Sequence, residues 1–187
     1  FGLPRKGEAM SFETLERRLR ELEDKEAIRQ AIYAYARGAD RCHHELIANA
    51  YHDDAWDDHG TFRGDKDTVV DIISSNPSGA IASMHHVGNI LIELDGDQAN
   101  VESYFFACQV REREGKKFTR IRAGRYIDRF ERRDGRWRIA KRIVVDDWNR
   151  VDELVATAPE LDGQCRRGTR DASDPSYDVS DFISVTS

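Results

Sequence analysis

At Ser83 the hydrophobic period of this chain switches from that of a helix to that of a strand and does not switch back, which confines the fold to one class. Before the switch, Leu15, Leu19 and Leu22 stand at i, i+4 and i+7, and Ile28, Ile32, Tyr35 and Ala39 repeat that spacing. The pattern predicts a helix from about residue 12 to Asp40, continuous or bent near Asp24, with Gly38 marking fraying or close packing in its last turn. A short helix over His44 to Tyr51 follows, then a short strand over Ala55 to Phe62. A third helix, capped by Asp65, is stopped by Asn76-Pro77. After the switch, Met84–Leu94, Ala99–Arg113, Lys117–Arg132 and Arg136–Asp146 alternate as strands. The breaks between them, Asp95-Gly96-Asp97, Glu114-Gly115 and Asp134-Gly135, suit tight hairpins. Helices first and an antiparallel meander afterwards predict an α+β fold, with the helices covering one face of a curved sheet.

A chain of 187 residues suffices for one domain that buries roughly 70% of its unfolded surface. The expected boundaries are a leader over 1–11, with Met10 a candidate natural start, a domain over 12–150, and a polar tail over 151–187 that contributes shape more than chemistry. Trp148 is the expected anchor of that tail. No stretch reaches the roughly 18 apolar residues of a membrane span, so no membrane partner and a cytoplasmic location are expected. Cys42, Cys108 and Cys165 have no paired spacing and read as reduced thiols. Residues 111–142 carry 14 basic and 5 acidic side chains in a chain of net charge -6. Because these bases alternate with apolar residues at strand period, the run reads as a solvated sheet face answered by acidic segments, not as a nucleic-acid footprint.

The histidines are the main candidates for chemistry. In Met84-His85-His86-Val87-Gly88-Asn89 the two imidazoles must point to opposite faces of a strand, so only one can enter a helix-covered cavity. Asp40 closes an apolar helical stripe, where an unpaired buried carboxylate costs several kcal/mol. Two pairings are open to it: the neighbouring Arg37 or Arg41, or a histidine whose tautomer it would hold. A second polar cluster, Asp57, Asp58 and His59, lies on the short strand. The adjacent pairs His43-His44 and His85-His86 diverge on either kind of element, so no metal is expected. There is no Gly-x-Ser-x-Gly elbow and no glycine-rich phosphate loop.

Four segments in order, ELEDKEAIRQAIYAYARGAD (21–40), HDDAWDDHGTFRG (52–64), SMHHVGN (83–89) and YIDRFERRDGRWRIAKR (126–142), resemble the SnoaL-like branch of the nuclear transport factor 2-like superfamily. The resemblance implies a cone-shaped α+β barrel, a bent antiparallel sheet rolled around a pocket closed by the N-terminal helices and holding a hydrophobic small molecule, and a homodimer or higher homo-oligomer formed through the outer sheet face. Lyases of this family, scytalone dehydratase, bile acid 7α-dehydratase and lindane dehydrochlorinase among them, use an aspartate–histidine pair without metal or organic cofactor. Matched on helix and strand opening, that pair falls on Asp40 and His85, with a further tyrosine on Tyr35 and an arginine on Arg142. Polyketide cyclases and ketosteroid isomerases of the superfamily use other acid/base sets, and the transport factor and dioxygenase small subunits are non-catalytic.

The function expected from this resemblance is a cofactor-independent lyase or isomerase acting on a hydrophobic cyclic or hydroxylated small molecule. His85, Asp40, Tyr35 and Arg142 would carry the chemistry, and Asp58, His59 and Asn89 would bind substrate. The alternative is a non-catalytic ligand-binding or assembly module of the same fold, such as an oxygenase small-subunit-like protein. Cavity shape would depend on which of Phe62, Tyr104, Phe106, Phe118 and Tyr126 point inward.

Overall fold

The computed structural model of the chain describes residues 11–155 and 163–177; the candidate start at Met10 lies outside them. Helix α1 (Phe12–Arg41) is continuous, with Ser11 as N-cap accepting the Thr14 N–H. It does not bend at Asp24. Instead the Asp24 carboxylate receives Trp137 Nε1 at 2.8 Å and Arg132 Nη1 at 2.9 Å, which ties the helix to the sheet. Its apolar stripe is buried only from Ile28 onward, and Leu15, Leu19 and Leu22, expected to pack, stay exposed. Gly38 serves close packing: a Cβ there would stand 2.8 Å from Ile47 Cγ1 of helix α2 (His44–Asn49). Helix α3 (Lys66–Ser74) starts at the expected cap, Asp65, which accepts the Thr68 N–H at 2.9 Å.

Six strands form one sheet: β1 (Tyr51–Asp58), β2 (Arg63–Asp65), β3 (Ala80–Asp95), β4 (Gln98–Arg113), β5 (Lys116–Arg133) and β6 (Arg136–Glu153), in the order β2-β1-β6-β5-β4-β3. The class is α+β as expected, with two differences from the purely antiparallel barrel. Strand β1 runs parallel to β6, because α2 and the turn before β1 return the chain in the direction of the last strand. The sheet is also open, with β2 and β3 as its edges. Curvature enters at register shifts such as the one between Ala123 and Gly124, where a Cβ on Gly124 would lie 2.1 Å from the Val145 carbonyl oxygen. The core joins Ile28, Ile32, Tyr35 and Ile47 of the helices to Phe105, Tyr126, Phe130 and Ile139 of the strands.

Strand β6 continues to Glu153, paired opposite Phe118, so Trp148 is a strand residue. It is half exposed beside Phe106, on the outer face, and makes no ring contact with the described residues of the tail, 163–177. The described part of the tail is held by Arg170, which donates to the carbonyls of Ala39 at 2.8 Å, Asp40 at 3.1 Å and Ala80 at 3.2 Å, and by an Arg41–Asp174 ion pair at 3.3 Å. The last carbonyls of a helix lack intrahelical donors, and this guanidinium supplies them. Among the described residues no helix is long and apolar enough to cross a membrane.

Candidate active site

Between the helices and the concave face of the sheet lies a cavity of about 360 Å³, lined by Tyr35 and Ala39 of α1, His59 and Phe62 after β1, His85 of β3, Phe105 and Ala107 of β4, and Tyr126 of β5. Its size falls at the lower end for small-molecule sites. Of the five aromatic residues whose direction governs its shape, Phe62 and Tyr126 face it, Tyr104 and Phe106 are exposed, and Phe118 is half-buried and does not line it.

Strand alternation sends His85 inward and leaves His86 exposed. His85 Nδ1 stands 2.7 Å from Asp40 Oδ1, and its backbone N–H donates to Asp40 Oδ2, also at 2.7 Å. Ser83, two residues earlier on the same strand face, donates its hydroxyl to Oδ1 at 2.8 Å. Of the two pairings open to Asp40, the histidine is the one formed. Burial pushes the Asp40 carboxyl up, but the hydrogen bonds and charge of His85 and the Ser83 hydroxyl outweigh it and hold the pKa below the ordinary value. An ionised Asp40 accepts only, so its contact assigns the hydrogen to Nδ1 and leaves Nε2 as the basic nitrogen.

A second aspartate–histidine pair faces the same cavity. Asp57, nearly inaccessible, accepts from Tyr51 Oη at 2.6 Å and pairs with His59 Nδ1 at 3.1 Å, while the His59 ring stacks on Phe62 with centroids 4.7 Å apart. Burial opposes ionisation of Asp57, yet His59, Arg142 and Tyr51 together keep its pKa low.

Arg142 is not where a group touching substrate would be. It is fully buried, does not line the cavity, and is bound by Asp128 through two hydrogen bonds of 2.7 and 2.6 Å. Its sheet neighbours are Asp57 on β1 and Asp128 on β5, so one guanidinium lies between two carboxylates across three strands. The guanidinium carbon is 4.3 Å from the Tyr35 ring centroid and 4.2 Å from that of Tyr126. Burial alone would lower the pKa of Arg142, but the Asp128 charge keeps it well above its ordinary value. Arg142 therefore supports Tyr35 and Tyr126 from beneath. Burial holds both phenols above their ordinary pKa, so they remain hydrogen-bond donors.

Two further expectations fail for a shared reason, the alternation of side chains along a strand. Asp58 points away from the cavity between Asp57 and His59, accepts the Gly60 N–H at 3.0 Å and stands 3.7 Å from Arg63. Asn89 would share the face of His85, but a register shift between Val87 and Ile90 turns it out to solvent and brings Ile90 onto the core side. Ser83 escaped the sequence reading, although its i, i+2 relation to His85 was a usable signal. Among the described residues no three His, Cys, Asp or Glu side chains converge as a metal would require.

A family model described as a SnoaL-like domain matches residues 20–143. A candidate scytalone dehydratase from Novosphingobium aromaticivorans DSM 12444 has a similar structure, with 23% identity, 74% of this chain and 97% of that chain covered, and a TM-score of 0.61. Hexachlorocyclohexane dehydrochlorinase LinA-type3 from Novosphingobium barchaimii LL02 is similar at 19% identity, with 74% and 95% covered and a TM-score of 0.64. A type 2 dehydrochlorinase of the same name matches at 19% identity, 75% and 97% coverage, and a TM-score of 0.66. At these identities the likeness is one of fold. No protein of curated function matches the sequence significantly.

Proposed function

Because this chain belongs to the SnoaL-like domain family, we propose that its cavity houses a cofactor-independent lyase or isomerase acting on a hydrophobic cyclic or hydroxylated small molecule. The observation that carries this reading is the Asp40–His85 contact of 2.7 Å at the cavity wall. His85 Nε2 removes a proton from carbon, and Asp40, bound to Nδ1–H, stabilises the imidazolium that results. The released electron pair forms the new double bond, or an enolate in an isomerisation, while in an elimination a hydroxyl or halide departs. Tyr35 donates a hydrogen bond to the activating carbonyl or the leaving group. His59, its Nδ1 held by Asp57, presents its second nitrogen to bind the substrate, and the proton that His85 carries as imidazolium is the one returned to a departing oxygen. Acid/base assistance of this kind supplies about 10²- to 10⁴-fold, which suits a carbon acid already activated by a neighbouring carbonyl or a good leaving group.

We read the protein as a homodimer formed through the outer sheet face, where Met84, Leu91, Tyr104, Phe106 and Trp148 stay exposed and two edge strands lack partners. The test of function is a ligand screen followed by turnover, or by carbon–deuterium exchange in heavy water, of any hit. His85→Ala and Asp40→Asn should each lower the rate by about 10²-fold or more with the fold retained. Full rates in both variants would return the protein to the non-catalytic, ligand-binding reading.

A further inference from the structure

The rest of the cavity bears no chemistry that proton transfer needs, yet it is strongly charged. Arg111, Arg120, Arg122 and Arg170 line it, and among the described residues no aspartate or glutamate does. Elsewhere the basic strands are answered by acids: Arg125 by Glu102 and Asp147, Arg132 by Asp24 and Asp97, Arg133 by Asp54 and Glu131. Inside the cavity this pattern stops. Arg122 keeps one carboxylate, Asp146 at 2.8 Å, and Arg170 is spent on helix carbonyls. Among the described residues Arg111 donates only to the neutral amide of Gln109, at 2.8 Å, and its Nε is buried with no hydrogen-bond partner there. Arg120 forms no ion pair with any described residue.

Uncompensated guanidinium groups repel one another and lose hydration in a cleft, so such a cluster is unfavourable until an anion fills it. The pKa values run the same way. Burial first, then the charges of Arg120 and Arg170, lower that of Arg111, and burial, then Arg122, lowers that of Arg120 against the pull of Asp146.

Register gives the layout. His85, Ala107 and Arg122 lie in one row across β3, β4 and β5, and Ser83, Gln109 and Arg120 in the next. Two strand spacings put the backbones of His85 and Arg122 about 10 Å apart, and the Arg120 row lies about 7 Å further along the strands.

We propose that Arg111, Arg120 and Arg122 form an anion subsite, and that the ligand of this cavity carries a carboxylate or phosphate seated there, with its apolar skeleton extending toward His85 and Tyr35. The proposal rests on the catalytic reading only for the direction of that skeleton. The arginines select the acid whether or not His85 turns it over.

The test is equilibrium binding by calorimetry of three probes with one ring system: 2-naphthoate, 2-naphthyl phosphate and the uncharged 2-naphthamide. An anion should bind roughly tenfold or more tighter than the amide, and added salt should narrow the gap. A tighter naphthoate assigns a carboxylate, a tighter naphthyl phosphate a phosphate. Arg111→Gln and Arg120→Gln should each remove most of that preference and leave amide binding unchanged, whereas Arg120→Lys should retain part of it. Thermal unfolding of each variant shows whether the fold persists. Equal binding of acid and amide, no anion binding at millimolar concentration, or a preference that survives the double variant Arg111→Gln/Arg120→Gln overturns the proposal. The same titration on His85→Ala, run beside the turnover assay of wild type and variant, separates the two readings: an arginine-dependent preference with no His85-dependent turnover leaves the subsite standing and removes the lyase.

Discussion

Replacing Arg142 by methionine is the sharpest test of how the site is supported. The substitution keeps an apolar stem of similar length and removes a charge that is fully inaccessible in the native protein. Asp128, itself buried, then loses both hydrogen bonds from Arg142, and Tyr35 and Tyr126 lose the guanidinium packed within 4.3 Å of their ring centroids. Removing one partner of a buried ion pair generally destabilises by about 3–5 kcal/mol, because the desolvated charge left behind has no compensation. Against a total of about 5–15 kcal/mol this is a large fraction. For a protein of this size it corresponds to a fall in melting temperature of roughly 6–20 °C. Methionine paired with Asp128→Leu removes both charges and should recover more than half of that loss, since a well-packed apolar pair is often neutral relative to the ion pair it replaces. Urea denaturation and calorimetry of wild type, both single variants and the double variant close the cycle. A loss below about 1 kcal/mol in Arg142→Met, or a double variant no more stable than that single variant, would refute the assignment of Arg142 as a buried support.

Gly124→Ala should destabilise by about 3 kcal/mol in chemical denaturation, because its Cβ would stand 2.1 Å from the Val145 carbonyl oxygen and β5 and β6 must separate to admit it. Asp40 has a folded pKa below its unfolded value, so the stability it contributes is complete above about pH 5 and is lost as pH falls through the unfolded and then the folded pKa. Urea midpoints of wild type should therefore decline as pH drops below about 5, and Asp40→Asn should flatten that decline without abolishing it, since Asp57 is shifted in the same direction. Phe106→Glu, a charge on the exposed outer face beside Trp148, should shift the proposed homodimer to monomer in light scattering with the melting behaviour of the cavity variants unaffected.

Local information in the chain was enough for the elements. The cap at Asp65, the turns at Gly96, Gly115 and Gly135, and the change of period near Ser83 act over a few residues each and set the helices and hairpins, although β3 begins earlier, at Ala80, and β6 runs past Asp146 to Glu153. Alternation also separated His85 from His86, because a strand gives adjacent side chains opposite faces whatever it packs against. The partner of Asp40 was not determined in this way. Two local arginines and a histidine 45 residues away were equally open, and the pairing was decided when α1 crossed the start of β3 and brought three donors onto one carboxylate. Arg142 illustrates the same limit. The family resemblance put an arginine of the chemistry at this position, but its registry between Asp57 and Asp128 buried it, and registry is a property of three paired strands. Asn89 lost its place to a bulge whose position depends on how β3 meets β4. The arginines of the cavity were visible in the sequence only as part of a basic run. Which of them meet an acid and which face the cavity without one is set by the folded sheet, because Coulomb interactions and desolvation depend on distance through space and not along the chain.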